Sequence, residues 1–169
     1  MKVSYHKTFE FILLLVALGM TMPGCEKGIN GPDRAPTPDF ILTDLNGNEF
    51  QLSDSEGKVV VLQFFADWCS ICRSEVPTLN QLQEGYEPDS VLVVGVAVMQ
   101  TDSAAVQEFA EVLDAEYTIL YGTQSVALGY GVESVPVSFI INREGYIDNR
   151  RFSGALSLEQ FEQVIDPLL

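Results

Sequence analysis

The chain is poor in the residues that bind metals. Its 169 residues include one histidine, His6, and three cysteines, Cys25, Cys69 and Cys72. A structural zinc site needs four ligands, usually cysteine or histidine, and one cysteine pair with a distant histidine cannot supply them. Three cysteines are also too few for a disulfide-dense scaffold. We therefore expect no metal site, and no sequence feature indicates a cofactor.

Basic residues are also scarce. Nine lysines and arginines stand against 24 aspartates and glutamates, which gives a formal net charge of −15. Nucleic acids and anionic membrane surfaces attract proteins that carry basic patches. The charge balance therefore excludes nucleic acid as a partner. Hydrophobic residues make up 47% of the chain, enough to fill the core of one domain.

No apolar run is long enough to cross a membrane. The longest, residues 11–22, has 12 residues, whereas a transmembrane helix needs about 20. It follows the basic residues Lys2 and Lys7, and it has the length of a signal-peptide core. We therefore predict a signal peptide over residues 1–24.

The end of this segment carries a further signal. Gly24 directly precedes Cys25 and resembles a bacterial lipobox, in which the cysteine is lipidated and becomes the mature N-terminus. The sequence thus predicts an anchor to the lipid bilayer through Cys25, with the protein facing the periplasm. Glu26 replaces the aspartate of an inner-membrane retention signal and slightly favours the outer membrane. The alternatives are a plain cleaved signal peptide and an uncleaved anchor with Cys25 unmodified.

The mature chain divides into a tether and one domain. Residues 26–38 hold three prolines and two glycines without apolar periodicity, which predicts a flexible tether over residues 25–38. Residues 39–169 alternate strand-like and helix-like segments and predict an α/β domain with a mixed sheet. The expected elements are a hairpin (40–52), buried strands (58–66 and 90–99), a helix (102–114), a short strand (117–121), two antiparallel strands (137–142 and 146–152) and a closing helix capped by Ser157.

Cys69 and Cys72 lie where the first buried strand ends and a helix is expected to begin. Ligands and chemistry favour that edge of an open α/β sheet. One interpretation is a structural disulfide, although so small a loop restricts the unfolded chain little. The other is a redox pair, because the unpaired N–H groups and dipole of a helix start favour a thiolate at Cys69. Cys72, one turn later, would then resolve the mixed disulfide.

Two segments together resemble the thioredoxin superfamily. They are "WCSICRSEVP" (68–77) and "GVESVPVSFIIN" (131–142), and they are most similar to its TlpA/ResA-like branch of membrane-tethered, extracytoplasmic thiol–disulfide oxidoreductases. The resemblance runs from Ala35 to the C-terminus. It implies a three-layer fold, with a mixed central sheet flanked by helices. It also implies an N-terminal β-hairpin and an inserted βα segment over residues 90–121.

The resemblance also implies roles for individual residues. Cys69 matches the exposed nucleophile and Cys72 the resolving cysteine of a redox-active disulfide. Pro136 matches the cis-proline that faces the disulfide, and Val135 the residue whose backbone pairs with a bound partner. Trp68, next to Cys69, is expected to shield the site and to contact the substrate.

Glu75 matches an acidic residue near the active site of several members. Thioredoxin itself has a buried aspartate six residues before the first cysteine, where this chain has Gln63, so Glu75 becomes the best candidate proton acceptor. A solvated glutamate on an exposed helix turn is the alternative. Peroxiredoxins place a threonine where this chain has Ala66, which disfavours a peroxidase.

The expected function is the reduction of disulfides in exported proteins, for example apocytochrome c, with electrons from an upstream membrane thiol carrier. A disulfide oxidase or isomerase is one alternative, because the Ser70-Ile71 dipeptide between the cysteines gives no redox potential by analogy. A non-catalytic module that binds a partner and carries an idle disulfide is the other. The reduction potential distinguishes them.

Overall fold

The computed structural model describes residues 35–99 and 102–169. The predicted signal peptide, Cys25 and the tether up to residue 34 lie outside the described residues. Within the described residues, no helix has both the length and the apolar character needed to cross a bilayer.

The centre of the fold is strand β4, Val59–Phe65, in which all seven residues are buried. It pairs in parallel with β5 (Val91–Ala97) and antiparallel with β7 (Val137–Ile141). A strand covered on both faces needs apolar side chains at nearly every position, and β-branched and aromatic residues supply them here. Gln63 is the exception.

Five further strands extend this centre into a mixed sheet of eight, ordered β1-β8-β7-β4-β5-β6-β2-β3. The added strands are β1 (Ala35–Pro36), β2 (Ile41–Asp44), β3 (Glu49–Gln51), β6 (Thr118–Tyr121) and β8 (Tyr146–Ser153). Strands β2 and β3 pair antiparallel, and β2 also pairs with β6. The Asp44 carboxylate closes the β2–β3 turn by accepting the N–H groups of Asn46 and Asn48, both at 2.8 Å.

Among the described residues, four α-helices cover the sheet: α1 (Ser70–Gly85), α2 (Ser103–Leu113), α3 (Gln124–Gly129) and α4 (Leu158–Ile165). Helix α1 contains Pro77. The predicted capping box of α4 is confirmed, with Ser157 and Gln160 bonded reciprocally. Helix α3 was not expected, because its six residues are too few to show a helical periodicity.

Alternation along β4 separates two cores, one on each side of the sheet. Val59, Val61 and Phe65 pack under α1, α2 and α4, on what we call the helical face. Leu62 and Phe64 point to the opposite side, the aromatic face, which the hairpin and α3 cover. The fold therefore has three layers, with α1, α2 and α4 on one side, the sheet in the middle and α3 on the other side. This is the predicted thioredoxin-like fold.

The aromatic face is a cluster of rings around Phe64. Its ring centroid lies 5.1 Å from that of Tyr130 and 5.9 Å from that of Phe139. The Tyr130 hydroxyl donates a hydrogen bond of 2.6 Å to the carbonyl of Pro38. The one hydroxyl in this ring cluster is therefore satisfied.

The domain begins earlier than the sequence predicts. Ala35 and Pro36 form β1 and pair with Ile147 and Tyr146 of β8, and Thr37 N–H donates to the Gly145 carbonyl at 3.2 Å. The expected tether boundary at residue 38 is therefore a few residues too late. The tether boundary was placed too late because the prolines suggested a linker. An edge strand nevertheless tolerates proline where its N–H is not needed for pairing.

A close approach at Gly122 joins the ends of β5 and β6. Gly122 N–H donates to the Ala97 carbonyl at 2.9 Å. A Cβ atom at this position would collide with the same carbonyl oxygen and would lie 2.7 Å from Val96 Cγ1. The contact requires glycine because no space exists for a side chain.

Candidate active site

The two cysteines of the helix start form a disulfide. Cys69 is the N-cap of α1, and Cys72 lies in its first turn with the two Cα atoms 5.3 Å apart. The N–H of Cys72 donates to Cys69 Sγ at 3.2 Å. Cys69 is 7% exposed, against 1% for Cys72. Of the two sulfur-bearing residues, Cys69 is therefore the more accessible.

The position of Cys69 also matters for its chemistry when the disulfide is open. An N-cap sulfur faces the unpaired N–H groups and the positive dipole end of the helix. Both stabilise a thiolate, which is the form that attacks a disulfide. The same geometry leaves Cys72 inside the helix, where burial works against its ionisation.

The loop before β7 lies against the disulfide. The Val135–Pro136 bond is cis, as the resemblance implied. Cys69 Sγ lies 3.8 Å from the Val135 carbonyl oxygen, a contact rather than a hydrogen bond while the sulfur is oxidised. Gly154 N–H donates to the Pro136 carbonyl at 2.9 Å and holds the loop from the β8 side. The structure thus brings Cys69, Val135 and Pro136 together.

Glu75 lies on α1, one turn after Cys72, and is 1% exposed. Its Oε2 accepts from Gln63 Nε2 at 2.6 Å, and its Oε1 accepts from Leu156 N–H at 2.7 Å. Burial raises the pKa of Glu75 to about 7, although the two hydrogen bonds act in the opposite direction. The solvated alternative is therefore wrong for this glutamate, which is buried one turn from Cys72.

Sequence reasoning missed the two partners of Glu75. It treated Gln63 only as the absence of an aspartate, although one amide in an otherwise apolar buried strand indicates a specific polar contact. The Leu156 contact comes from a backbone N–H in the loop before α4. A backbone group leaves no signal in the sequence.

Trp68 lies at the surface, directly before Cys69. Its side chain is 63% exposed, and its Nε1–H makes a long contact of 3.4 Å to the Met99 carbonyl. It forms one wall of an open groove of about 580 Å³, which α3 and the segment before the cis-proline loop also line. None of the described residues that line this groove is charged; they include Met99, Thr123, Leu128 and Val132.

Exposed apolar side chains lie on the CxxC turn and across the groove from it. Trp68, Ile71 and Leu128 are large apolar residues that remain exposed. They lie on the CxxC turn and across the groove, in a chain of net charge −15. Such a patch on an otherwise acidic surface is typical of a site that contacts another molecule.

The described residues contain no group of three histidine, cysteine or carboxylate side chains placed to hold a metal ion. Within this part of the chain, the polar groups beside the disulfide are instead Glu75, Gln63 and backbone amides. These groups can move a proton and can stabilise a thiolate, and the disulfide can exchange electrons with another thiol pair.

Comparison with known proteins gives consistent relatives. The family model described as the AhpC/TSA family matches residues 34–150. The thiol-disulfide oxidoreductase ResA of Geobacillus thermodenitrificans is 32% identical over 166 residues, which cover 96% of this chain and 94% of that protein.

Two solved structures are also similar. A putative thiol:disulfide interchange protein DsbE from Chlorobium tepidum matches with a TM-score of 0.73 and 32% identity, over 80% of this chain and 97% of that one. The exposed lipoprotein thioredoxin of Streptococcus pneumoniae matches with a TM-score of 0.67 and 28% identity, over 78% of this chain and 100% of that one.

Proposed function

The chain belongs to the AhpC/TSA family, and from this premise we propose that it is an extracytoplasmic thiol–disulfide oxidoreductase acting through Cys69 and Cys72. The observation that carries the proposal is the asymmetric pair at the start of α1, with the more exposed sulfur against the Val135 carbonyl. Relatives named as thiol–disulfide oxidoreductases support the same activity.

The proposed reaction is the reduction of a substrate disulfide. The Cys69 thiolate attacks one substrate sulfur, a Cys69–substrate bond forms, and the other substrate sulfur leaves with the bonding electron pair. Cys72 then loses its proton and attacks Cys69 Sγ, so that the Cys69–Cys72 bond forms and the second substrate thiolate leaves. The substrate gains two electrons, and the protein pair is oxidised.

Glu75 is the proposed acceptor of the Cys72 proton. It lies three residues after Cys72, on the same side of α1. Its pKa of about 7 suits a general base near neutral pH, because the ionised form is then available and still basic. General-base assistance is worth about 10² to 10⁴ in rate.

The substrate contacts follow from the surface around Cys69. The Val135 backbone offers an edge for an extended substrate segment, and Trp68 borders the uncharged groove. We propose that apolar side chains next to the substrate cysteine occupy this groove. Exported proteins with accessible disulfides, such as apocytochrome c, are the proposed substrates, and an upstream membrane thiol carrier is the proposed electron donor.

A redox titration tests the direction of electron flow. A potential near about −270 mV indicates a reductant, and one near about −120 mV indicates an oxidant. If the Cys69–Cys72 pair exchanges with no thiol or disulfide, the proposed enzymatic activity is wrong. The remaining interpretation is then a non-catalytic module that binds a partner.

Trapping tests the order of the two cysteines. With Cys72→Ser, a stable mixed disulfide through Cys69 should accumulate, because the resolving thiol is gone. Cys69→Ser should trap nothing, since Cys72 is 1% exposed. Accumulation in the Cys69→Ser variant alone would reverse the assignment.

Anchoring through Cys25 is a separate proposal, supported by the lipobox resemblance and by a relative described as an exposed lipoprotein. Mass spectrometry of the membrane-extracted protein should find a diacylglyceryl group on Cys25 at the mature N-terminus. Cys25→Ala should release the protein from the membrane fraction. A mature N-terminus beyond Cys25 would exclude the anchor.

A further inference from the structure

A polar row crosses the helical face at the level of Glu75. Gln63 of β4 is paired with Ser138 of β7 on one side and with Gly95 of β5 on the other. Directly paired residues point to the same side of a sheet. Ser138 and Gln63 therefore point to the side where Glu75 lies, and Gly95 leaves a gap at the third position.

The phenol end of Tyr117 and the ring of Phe65 occupy that gap. Tyr117 precedes β6, and its ring reaches forward so that a Cβ on Gly95 would lie 3.0 Å from Tyr117 Cε2. Cε2 is bonded to the carbon that carries the hydroxyl. The Tyr117 hydroxyl therefore lies near the level of Gln63, whose amide holds the Glu75 carboxylate.

Two hydroxyls at this level have no hydrogen-bond partner among the described residues, Tyr117 Oη and Ser138 Oγ. Both residues are buried, with Tyr117 7% exposed. A buried hydroxyl without a partner is costly, and native structures seldom keep one without a reason. Burial, and after it the negative charge of Glu75, raises the pKa of Tyr117.

As they are oriented, both partners of Glu75 are donors, which suits its ionised form. Gln63 and Leu156 both offer N–H donors to it. Once Glu75 takes a proton from Cys72, one of its oxygens becomes a donor and needs an acceptor. A hydroxyl can serve both forms, because it donates or accepts according to how its O–H is turned.

We propose that the Tyr117 hydroxyl is this reversible partner, donating to the Glu75 carboxylate and accepting from the Glu75 acid, either after a small side-chain shift or through one water. Tyr117 is then a positioning residue for the proton transfer from Cys72. The inference rests on the proposed role of Glu75 as base and adds a residue that the proposed function does not use.

The groups that face Glu75 are few. Its own helix contributes Cys72, β4 contributes the uncharged Gln63, and the loop before α4 contributes a backbone N–H. Within the described part of the chain, the influences on its pKa are burial and these two hydrogen bonds, without a charged side chain. Tyr117 is therefore the ionisable neighbour from outside α1 on which a test can focus.

The variant Tyr117→Phe keeps the ring and removes the hydroxyl. A hydrogen bond stabilises a carboxylate more than its acid, so the pKa of Glu75 should rise by about one unit. The ¹³C resonance of the Glu75 carboxyl in the oxidised protein measures this directly. Resolution of the mixed disulfide should become about fivefold slower at pH 7, because a smaller fraction of Glu75 is ionised there. Its rate should return to about the wild-type value above pH 9, where Glu75 is ionised in both proteins.

Tyr130→Phe is the matched control. Tyr130 is also a buried tyrosine, but it lies on the opposite face and donates to the Pro38 carbonyl. Its loss should leave both the Glu75 titration and the pH profile unchanged. In a Glu75→Gln background, Tyr117→Phe should have no further effect on resolution.

The wild-type protein supplies a readout that does not depend on a folded variant. The Cζ resonance of Tyr117 should shift with the titration of Glu75. The inference is overturned if this resonance does not change as Glu75 titrates. It is also overturned if Tyr117→Phe changes neither the pKa of Glu75 nor the pH profile of mixed-disulfide resolution. Failure of the wild type to exchange disulfides would refute the proposed function, and the two NMR titrations would still decide the contact.

Discussion

Phe64 and Gln63 are neighbours in one strand, yet they face two different interiors. Phe64 points into the cluster of aromatic rings, in which the single hydroxyl, that of Tyr130, donates a hydrogen bond to the Pro38 carbonyl. Gln63 points into a row that holds the buried Glu75 carboxylate and two hydroxyls without partners among the described residues. Burying unpaired polar groups costs stability. Around Glu75 the fold carries this cost, whereas the ring cluster around Phe64 has its hydroxyl paired.

The largest effect on stability should follow from damage to the aromatic face. Phe64→Ala removes a fully buried ring that contacts Tyr130 and Phe139. It should lower the free energy of unfolding by about 3–5 kcal/mol, as measured by urea denaturation of the oxidised protein. The pKa of Glu75 should stay at its wild-type value in the folded fraction. A changed pKa of Glu75 in this variant would show that the two faces are coupled.

The helical face should instead make stability depend on pH. The pKa of Glu75 is raised from 4.5 in the unfolded chain to about 7 in the fold, so the folded state holds the proton more tightly. Its contribution is therefore fully present below pH 4.5, is lost as pH rises towards 7, and then levels off. The loss should be about 3 kcal/mol.

Denaturation of the oxidised protein between pH 4 and pH 8 measures this loss. Glu75→Gln should remove it from the curve, whereas Tyr130→Phe should retain it. A Glu75→Gln curve with the wild-type slope would show that Glu75 does not carry the pH dependence.

The smallest effects should come from removing one hydroxyl on each face, and only the loss on the aromatic face should be destabilising. Tyr130→Phe loses a hydrogen bond and leaves the Pro38 carbonyl without its donor, which should cost about 1 kcal/mol. Ser138→Ala removes a buried hydroxyl with no partner in the described part of the chain. It should therefore be neutral or slightly stabilising. Equal losses in thermal denaturation would mean that Ser138 is hydrogen-bonded in solution.

The elements with a strong periodicity could be predicted from the sequence. Strands β4 and β5, helix α2 and the capping box of α4 lie within a residue or two of their expected bounds. The disulfide site and the cis-proline loop came from the resemblance, because CxxC alone leaves several interpretations open.

The surroundings of Glu75 could not be predicted in the same way. One of its partners is a backbone N–H 81 residues along the chain, and only the folded loop before α4 brings it near. The level of the Tyr117 phenol depends on the missing side chain at Gly95. Contacts of this kind arise from tertiary packing, on which local patterns carry no information.

The close approach at Gly122 predicts which mutations the gene tolerates at this position beside the groove. Its α-carbon lies where the Ala97 carbonyl and Val96 leave no room for another atom, and it lines the groove with Trp68. Every missense change in this codon adds a Cβ, so each one must push β6 and α3 away from β5. A deep mutational scan should therefore tolerate only glycine at this position, and smaller side chains at Val96 or Val98 should not rescue a substitution, because the tightest clash is with the backbone carbonyl of Ala97.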